Sequence, residues 1–194
     1  MPKQKITKDM VIDAAFSLAR TGGMEQLIVK SIARELGCSV QPIYSYCRNM
    51  NSLRMDVMER AGSFVRQYLA RHTDPDNLFQ STGQAFVRLA REEPHIFRMF
   101  ILRPRRGISS LDELYRSEAD AQTAEAIASR LNISISQAKA LHLNMLIYTI
   151  GIGTIFSVTD PGISPDEIFS RQETACQAFL TQILKEKEQE DDTE

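Results

Sequence analysis

A short segment of the chain carries side chains that could contact both the bases and the phosphates of DNA. A helix that begins near residue 40 turns by roughly 100° per residue. It would place five side chains on one stripe: Val40, Gln41, Tyr44, Ser45 and Arg48. An amide can read a base edge, hydroxyls and a guanidinium can contact phosphates, and a valine can touch a thymine methyl group. Ile43 and Cys47 would face the other side, towards a core. These are the groups that a helix needs in the major groove.

A second short helix is predicted directly before that segment, over residues 29–36. Its apolar face consists of Ile32, Ala33 and Leu36. Gly37 follows and suits the left-handed backbone that turns a chain. We expect the next helix over residues 40–46, with Ser39 as its N-cap and Pro42 in its first turn, where a missing N–H has no helical partner. Two short helices joined by a glycine turn form a helix-turn-helix pattern, which other helical hairpins share.

The formal net charge of −2 is divided unevenly along the 194 residues. Residues 1–71 hold 11 lysines and arginines against 6 acidic residues, whereas residues 72–194 hold 12 against 19. Positive charge beside a helix-turn-helix favours DNA binding, because lysines attract phosphates whatever the base sequence. The alternative to DNA binding is that these positive charges form a surface that contacts only solvent. Four lysines lie beside the pattern: Lys3, Lys5, Lys8 and Lys30.

Helical periodicity runs through almost the whole chain, and no segment alternates as a strand would. The sequence therefore predicts an all-α protein of about nine helices. We expect Thr7 to cap the first helix, Gly22 and Gly23 to end it, and Ser134 with Gln137 to form a capping box for the eighth. The predicted helices cover residues 7–21, 29–36, 40–46, 51–71, 77–92, 94–102, 110–131, 136–158 and 165–189.

Residues 32–53, IARELGCSVQPIYSYCRNMNSL, resemble the signature of the TetR family of transcriptional regulators. The shared features are an Ile-Ala pair, a Gly-x-Ser turn, a tyrosine within the recognition helix, an aromatic residue two positions later, and a leucine opening the fourth helix. The resemblance implies a three-helix DNA-binding domain followed by a helical regulatory and dimerisation domain. It also implies a ligand-responsive regulator, expected to be a repressor rather than an activator, that binds a palindromic operator in double-stranded DNA as a homodimer.

The resemblance places six residues on DNA: Ser39, Val40, Gln41, Pro42 and Tyr44 at the groove, and Tyr46 on the phosphate backbone. Two positions depart from the family pattern. Ile28 replaces the threonine that caps the second helix, which removes a cap worth about 1 kcal/mol. Met50 replaces a phosphate-contacting lysine, which would lower the salt slope of binding by about one unit, unless Arg48 takes its place. These departures leave open a protein-interaction module of the same fold that has lost DNA affinity.

The domain organisation follows from the polar cluster HTDPDN at 72–77, which breaks the helical pattern where the charge changes sign. The prediction is a helix-turn-helix domain over 1–50, a connecting helix over 51–75, a ligand-binding and dimerisation domain over 76–189, and a charged tail over 190–194.

The twenty residues between Lys139 and Asp160 carry no formal charge and could span a bilayer by length alone. They include His142, Asn144 and two glycines, and no flanking basic cluster sets an orientation, so we predict a helix buried in protein and no membrane contact. The resemblance implies that residues 136–158 and 165–189 pair with those of a second copy. Gly151 and Gly153 would allow a close approach there, or would mark a bend in a monomer.

An apolar pocket for a small-molecule effector is predicted in the second domain, because EEPHIFRMFIL at 92–102 resembles a cavity-lining segment of the family. The alternative for each of its residues is the packed core. The predicted lining consists of Phe86, Leu89, Phe97, Phe100, Tyr115, Met145, Tyr148, Ile152 and Phe156.

Enzyme signatures are missing from the sequence: it has no GxSxG, P-loop or GxGxxG motif, and its histidines and cysteines have no ligand spacing. We predict no catalytic activity, no cofactor and no metal site. Three cysteines without CxxC spacing, and a basic N-terminal segment without an apolar stretch behind it, indicate a cytoplasmic protein.

Overall fold

The computed structural model describes residues 6–47, 49–119 and 121–191, without the side chains of residues 121 and 186–191. The predictions made for Lys3, Lys5 and Arg48, and for residues 192–194 of the charged tail, lie outside the described residues.

Ten α-helices, and no strand, make up the regular structure of these described ranges. The prediction of an all-α protein is therefore confirmed. Short 3₁₀ turns occur at Met24–Gln26 and Pro75–Asn77. The helices are α1 Lys8–Gly22, α2 Val29–Glu35, α3 Gln41–Tyr46, α4 Met50–His72, α5 Leu78–Glu92, α6 Pro94–Ile101, α7 Leu111–Glu118, α8 Ala121–Leu131, α9 Ile135–Val158 and α10 Pro165–Asp191.

The single helix predicted over residues 110–131 is two helices, α7 and α8, which is why the structure has ten helices rather than about nine. Ala119 ends α7 with an extended backbone, φ −138° and ψ 149°, while its N–H still bonds to the carbonyl of Tyr115. No glycine or proline marks this break. The available signal in the sequence is Asp120, a residue type that favours N-caps.

The predicted caps of the long helices are confirmed. The hydroxyl of Thr7 accepts a hydrogen bond from the N–H of Met10 at 3.2 Å. At the other end of α1, Gly23 adopts φ +84°, which a residue with a Cβ rarely does. Ser134 and Gln137 form the capping box of α9, with both reciprocal hydrogen bonds present.

The chain divides by its contacts into two compact units. The N-terminal unit comprises residues 1–71 together with 89–103, and the C-terminal unit comprises residues 72–88 and 104–194. Residues 94–101, expected from the sequence to line a cavity of the second domain, therefore group with the N-terminal unit. The domain limits that were predicted from the sequence stay a prediction.

The core of the N-terminal unit joins α1 to the two short helices and to α4. On α6, Ile96 and Phe97 are buried and Met99 packs against this core. The buried members of the core of the N-terminal unit are Val11, Ala14, Ala15, Ala19, Leu27, Ile32, Ala33, Ile43, Cys47, Leu53 and Val57.

The C-terminal unit is organised around α9, which packs against α8 and α10. Among the described residues, α9 is the one helix that is long and apolar enough to cross a membrane. Its Thr149 is buried and accepts a hydrogen bond from the buried Gln172 of α10 at 3.2 Å. This polar pair lies on the side of α9 that packs against α10.

Candidate nucleic-acid interface

The two short helices, α2 and α3, are joined by a turn whose first residues bond back to the end of α2. Gly37 adopts φ +61°, as the sequence predicted. The N–H of Cys38 bonds to the carbonyl of Ala33 at 2.9 Å, and that of Gly37 bonds to Arg34 at 3.2 Å. Since only a glycine takes this backbone at little cost, Gly37 fixes where α2 ends.

The rotation of α3 agrees with the predicted division into an inner and an outer face. Ile43 is 1% exposed, and Cys47 is also buried in the core of the N-terminal unit. Burial raises the pKa of the Cys47 thiol, which keeps this side chain neutral and unreactive. The inner face of α3 is therefore purely structural.

The outer face of α3 presents polar and aromatic groups to solvent. Tyr44 is 62% exposed, and Pro42 at the start of the helix is half-buried. Lys30, on the first turn of α2, is exposed as well. The exposed residues of the turn and of α3 are Ser39, Val40, Gln41, Tyr44, Ser45 and Tyr46. The side chains predicted for DNA contact that the structure describes are therefore exposed to solvent, apart from the half-buried Pro42.

Ser39 does not cap α3, contrary to the sequence prediction. The N-cap is Val40, whose backbone is already helical at φ −69° and ψ −20°, and no side chain completes the cap. The helix begins one residue later than predicted, so that Pro42 lies within its first two positions. As a result, the hydroxyl of Ser39 is exposed and is not used as a helix cap.

Two polar groups that the sequence assigned to phosphates have partners inside the protein. The hydroxyl of Ser45 donates a hydrogen bond to the carbonyl of Gln41 at 3.1 Å, and serines within helices commonly bond in this way to the carbonyl four residues earlier. The ammonium of Lys8 lies 3.2 Å from a carboxylate oxygen of Asp56 on α4. Both groups are therefore engaged within the protein.

Met50, the first residue of α4, departs from the pattern noted for residues 32–53. Met50 is half-buried and packs against the core, so this position offers apolar contact instead of a cation. The helix is capped one residue earlier, where the side-chain oxygen of Asn49 accepts a hydrogen bond from the N–H of Ser52 at 2.8 Å. The sequence analysis missed this cap, although asparagine is among the most favoured N-cap residues.

The predicted effector-pocket residues fall into both compact units. Leu89, Phe97 and Phe100 belong to the N-terminal unit, where the first two are buried. In the C-terminal unit, Tyr115 and Phe156 are buried, and the other four are half-buried: Phe86, Met145, Tyr148 and Ile152. The residues predicted to line one pocket are thus divided between the two units. Whether each of them contacts an effector stays a prediction.

Two polar contacts within the C-terminal unit were not predicted from the sequence, although Tyr115 and His142 were named there. The hydroxyl of Tyr115 lies 3.1 Å from Nδ1 of His142 on α9, and the ring of Phe79 meets that imidazole edge-on with 5.7 Å between ring centres. Thr149 and Gln172 form the second polar pair. The available signal was the helical spacing of His142 and Thr149, seven residues apart in the uncharged stretch that follows Lys139.

The fold and the exposed face of α3 define a helical protein with a helix-turn-helix near its N-terminus. Three solved structures resemble it over most of its length. A TetR-like transcriptional regulator from Rhodococcus sp. RHA1 gives a TM-score of 0.62 at 14% identity, covering 93% of this chain and 99% of that one. A TetR-family regulator from Haemophilus influenzae RD gives 0.55 at 17% identity, covering 88% and 94%. Another transcriptional regulator from Rhodococcus sp. Rha1 gives 0.54 at 14% identity, covering 93% and 97%.

The chain therefore has the fold of the TetR-like transcriptional regulators, and the resemblance noted in residues 32–53 is confirmed at the level of fold. No family model matches the sequence, and no curated protein does either.

Replacing Ile28 by threonine is expected to stabilise the protein. Ile28 is the N-cap residue of α2, with extended backbone at φ −120° and ψ 145°, no side-chain cap and a side chain that is 54% exposed. A threonine hydroxyl there can accept a bond from an unpaired N–H of the first turn, so Ile28→Thr should raise the free energy of unfolding by about 1 kcal/mol in urea titrations. Ile28→Val, which has no hydroxyl, is the control. If the two variants were equally stable, the threonine hydroxyl would not act as a cap of α2, and the prediction would be wrong.

Proposed function

We propose that the chain is a ligand-responsive transcriptional regulator that acts in the cytoplasm, represses its target genes and is not an enzyme. The observation that carries the proposal is the exposed face of α3, where an amide, a phenol and a serine hydroxyl are open to solvent while Ile43 holds the helix on the core. Lys30 on α2 is exposed as well. An amide on such a helix can form a bidentate contact with adenine, and the lysine can attract the neighbouring phosphates. The likeness to solved regulators supports the same function.

A homodimer is part of this proposal, through α9 and α10, as the sequence suggested for residues 136–158 and 165–189. An apolar stripe runs along the exposed side of α9: Ile147, Gly151, Ile155 and Val158, with Val158 65% exposed. The space around Gly151 is open, so another backbone could approach it closely. A stripe of this kind is unfavourable in water and favours association with a second copy, which would present two copies of α3 to a palindromic operator.

Selection of bound fragments from a random DNA pool tests the proposal most directly. We expect an enriched palindrome whose half-site centres lie about 34–36 Å apart, one turn of the double helix. Recovery of fragments with no common sequence would contradict sequence-specific regulation.

Substitutions at Gln41 and Lys30 should affect operator binding in different ways. Gln41→Ala should cost about 1–3 kcal/mol and relax the preference at one base pair of each half-site, since it removes a base contact. Lys30→Gln should weaken binding to all sequences alike and reduce the salt slope by about one unit per half-site, since it removes a phosphate contact. Fluorescence anisotropy at several salt concentrations measures both. A change of base preference in Lys30→Gln would show that the two roles are assigned incorrectly.

Dimerisation through α9 can be tested with Ile155→Glu. A carboxylate in an apolar interface is costly to bury, so the variant should sediment as a monomer at concentrations where the native chain is a dimer, and it should lose operator affinity. Ile135→Glu is the matched control, because Ile135 is equally exposed on α9 but lies on a different face. If both variants sediment like the native chain, the stripe is not the interface.

A protein-interaction module that has lost DNA affinity is the second candidate. Two observations favour it. The ammonium of Lys8 is paired with the carboxylate of Asp56, and the half-buried Met50 offers no cation for a phosphate. A gel shift with the DNA beside its own gene separates the two functions, since salt-sensitive and sequence-specific retardation occurs only with the regulator.

A further inference from the structure

Glu93 forms the corner between α5 and α6 and uses its backbone for both helices. Its N–H bonds to the carbonyl of Leu89 at 2.8 Å, and its own carbonyl accepts a hydrogen bond from Phe97 at 2.9 Å. Pro94 follows as the first residue of α6, where a missing N–H has no helical partner. The side chain of Glu93 does not cap α6, although Glu93 is its N-cap residue. The carboxylate at this corner is therefore available for a contact with another helix.

The carboxylate of Glu93 binds Arg20 on the last turn of α1. Both of its oxygens accept hydrogen bonds from the guanidinium, one from Nε at 2.8 Å and the other from Nη2. This two-point geometry is the strongest arrangement of an arginine with a carboxylate. The hydrogen bonds to Glu93 raise the pKa of the Arg20 guanidinium. The side chain of Glu93 is 14% exposed, so water screens this ion pair less than it screens an ordinary surface pair.

Helix α4 takes part in the same contact. The guanidinium carbon of Arg20 lies 4.8 Å from the centre of the Phe64 ring, within the range of a cation–π interaction. Four residues later on α4, the hydroxyl of Tyr68 donates a hydrogen bond to the carboxylate of Glu92 at 2.5 Å. The two adjacent carboxylates of the corner therefore bind two different helices of the N-terminal unit, Glu93 binding α1 and Glu92 binding α4.

The end of α1 that carries Arg20 is close to α6 and belongs to the core that holds α3. A Cβ placed on Gly23 would lie 3.2 Å from Nδ1 of His95, so the end of α1 and the first turn of α6 approach closely. Ala19 of α1 and Ile43 of α3 are buried in one core, and Met99 of α6 packs against it. Helix α1 also contacts both α2 and α3. A contact that fixes the end of α1 therefore also restricts the orientation of α3.

We propose that Arg20 and Glu93 are positioning residues for DNA binding, and that their ion pair holds α1 in the arrangement in which α3 contacts the operator. This inference rests on the proposed function, since it specifies what holds the DNA-reading helix of that regulator. Neither side chain touches DNA in this role. Without the pair, α1 and α3 populate further arrangements, and the apparent affinity for DNA falls by the fraction of molecules that leave the competent one.

Two alanine variants of the full chain, Arg20→Ala and Glu93→Ala, remove opposite charges and the same contact. Each should weaken binding to the operator selected from the random pool at least about fivefold, with the salt slope of the native chain, because no phosphate contact is lost. Electrostatic attraction alone predicts opposite effects, since the loss of a carboxylate favours binding to DNA and the loss of a guanidinium disfavours it. Fluorescence anisotropy at several salt concentrations measures both quantities. Tighter binding by Glu93→Ala, or a smaller salt slope in Arg20→Ala, overturns the proposal.

Two further variants isolate the pair from its charges. Glu59→Ala makes the same charge change at an exposed glutamate of α4 and should bind the operator at least as tightly as the native chain. The double variant Arg20→Glu/Glu93→Arg restores an ion pair in reverse. It should bind within about threefold of the native chain, whereas each of its single substitutions should bind at least about tenfold more weakly. A double variant that binds no better than its single substitutions overturns the pairing.

Urea titrations and circular dichroism of the same variants separate positioning from stability. A pair that only stabilises the fold would lower the urea midpoint and leave the operator affinity unchanged, because nearly all molecules stay folded in buffer. That result overturns the proposal. Arg20→Lys keeps the charge and loses the two-point geometry, so it should bind at least about twofold more weakly while its helix content stays native. This milder variant provides the test if an alanine variant fails to fold.

Amide hydrogen exchange of α3, measured without DNA, distinguishes this inference from the proposed function. Exchange in α3 should be at least about fivefold faster in Glu93→Ala than in the native chain, and unchanged in Glu59→Ala. Sequence-specific DNA binding by the native chain that is equally tight in Glu93→Ala overturns the positioning role alone. Faster exchange of α3 in Glu93→Ala, in a protein whose native chain has no DNA affinity, overturns the regulator and leaves the contact that holds α3 in place.

Discussion

The candidate interface depends on the burial of Ile43 and Cys47, which sets the rotation of α3. This helix has six residues and is too short to be stable alone, so its orientation comes from the core that it shares with Val11 of α1 and Leu53 of α4. Because neighbouring positions on a helix differ by about 100°, burying position 43 turns positions 41, 44 and 45 outwards. A shift of the buried position by one residue would rotate the helix by about 100° and turn the amide of Gln41 away from the solvent-facing side.

Some polar groups of the N-terminal unit have partners within the protein. Lys8 is paired with Asp56, and the hydroxyl of Ser45 is bonded to its own helix. An exposed ion pair contributes little stability, and a single lysine adds little to phosphate attraction once a carboxylate is beside it. The basic character of residues 1–71 is therefore a coarser guide to DNA contact than the exposure of individual side chains, and the proposed base contacts rest on the exposed face of α3.

Local patterns predicted much of the fold, and contacts between distant residues account for part of what was missed. The caps at Thr7 and Ser134, the turn at Gly37 and the two faces of α3 each depend on residues within a few positions of one another, so their spacing is visible in the sequence. The pairs Lys8 with Asp56 and Thr149 with Gln172 join residues far apart in the chain, and periodicity carries no information about them. Residues of ordinary helix propensity surround the break at Ala119, so its only local signal is a single aspartate.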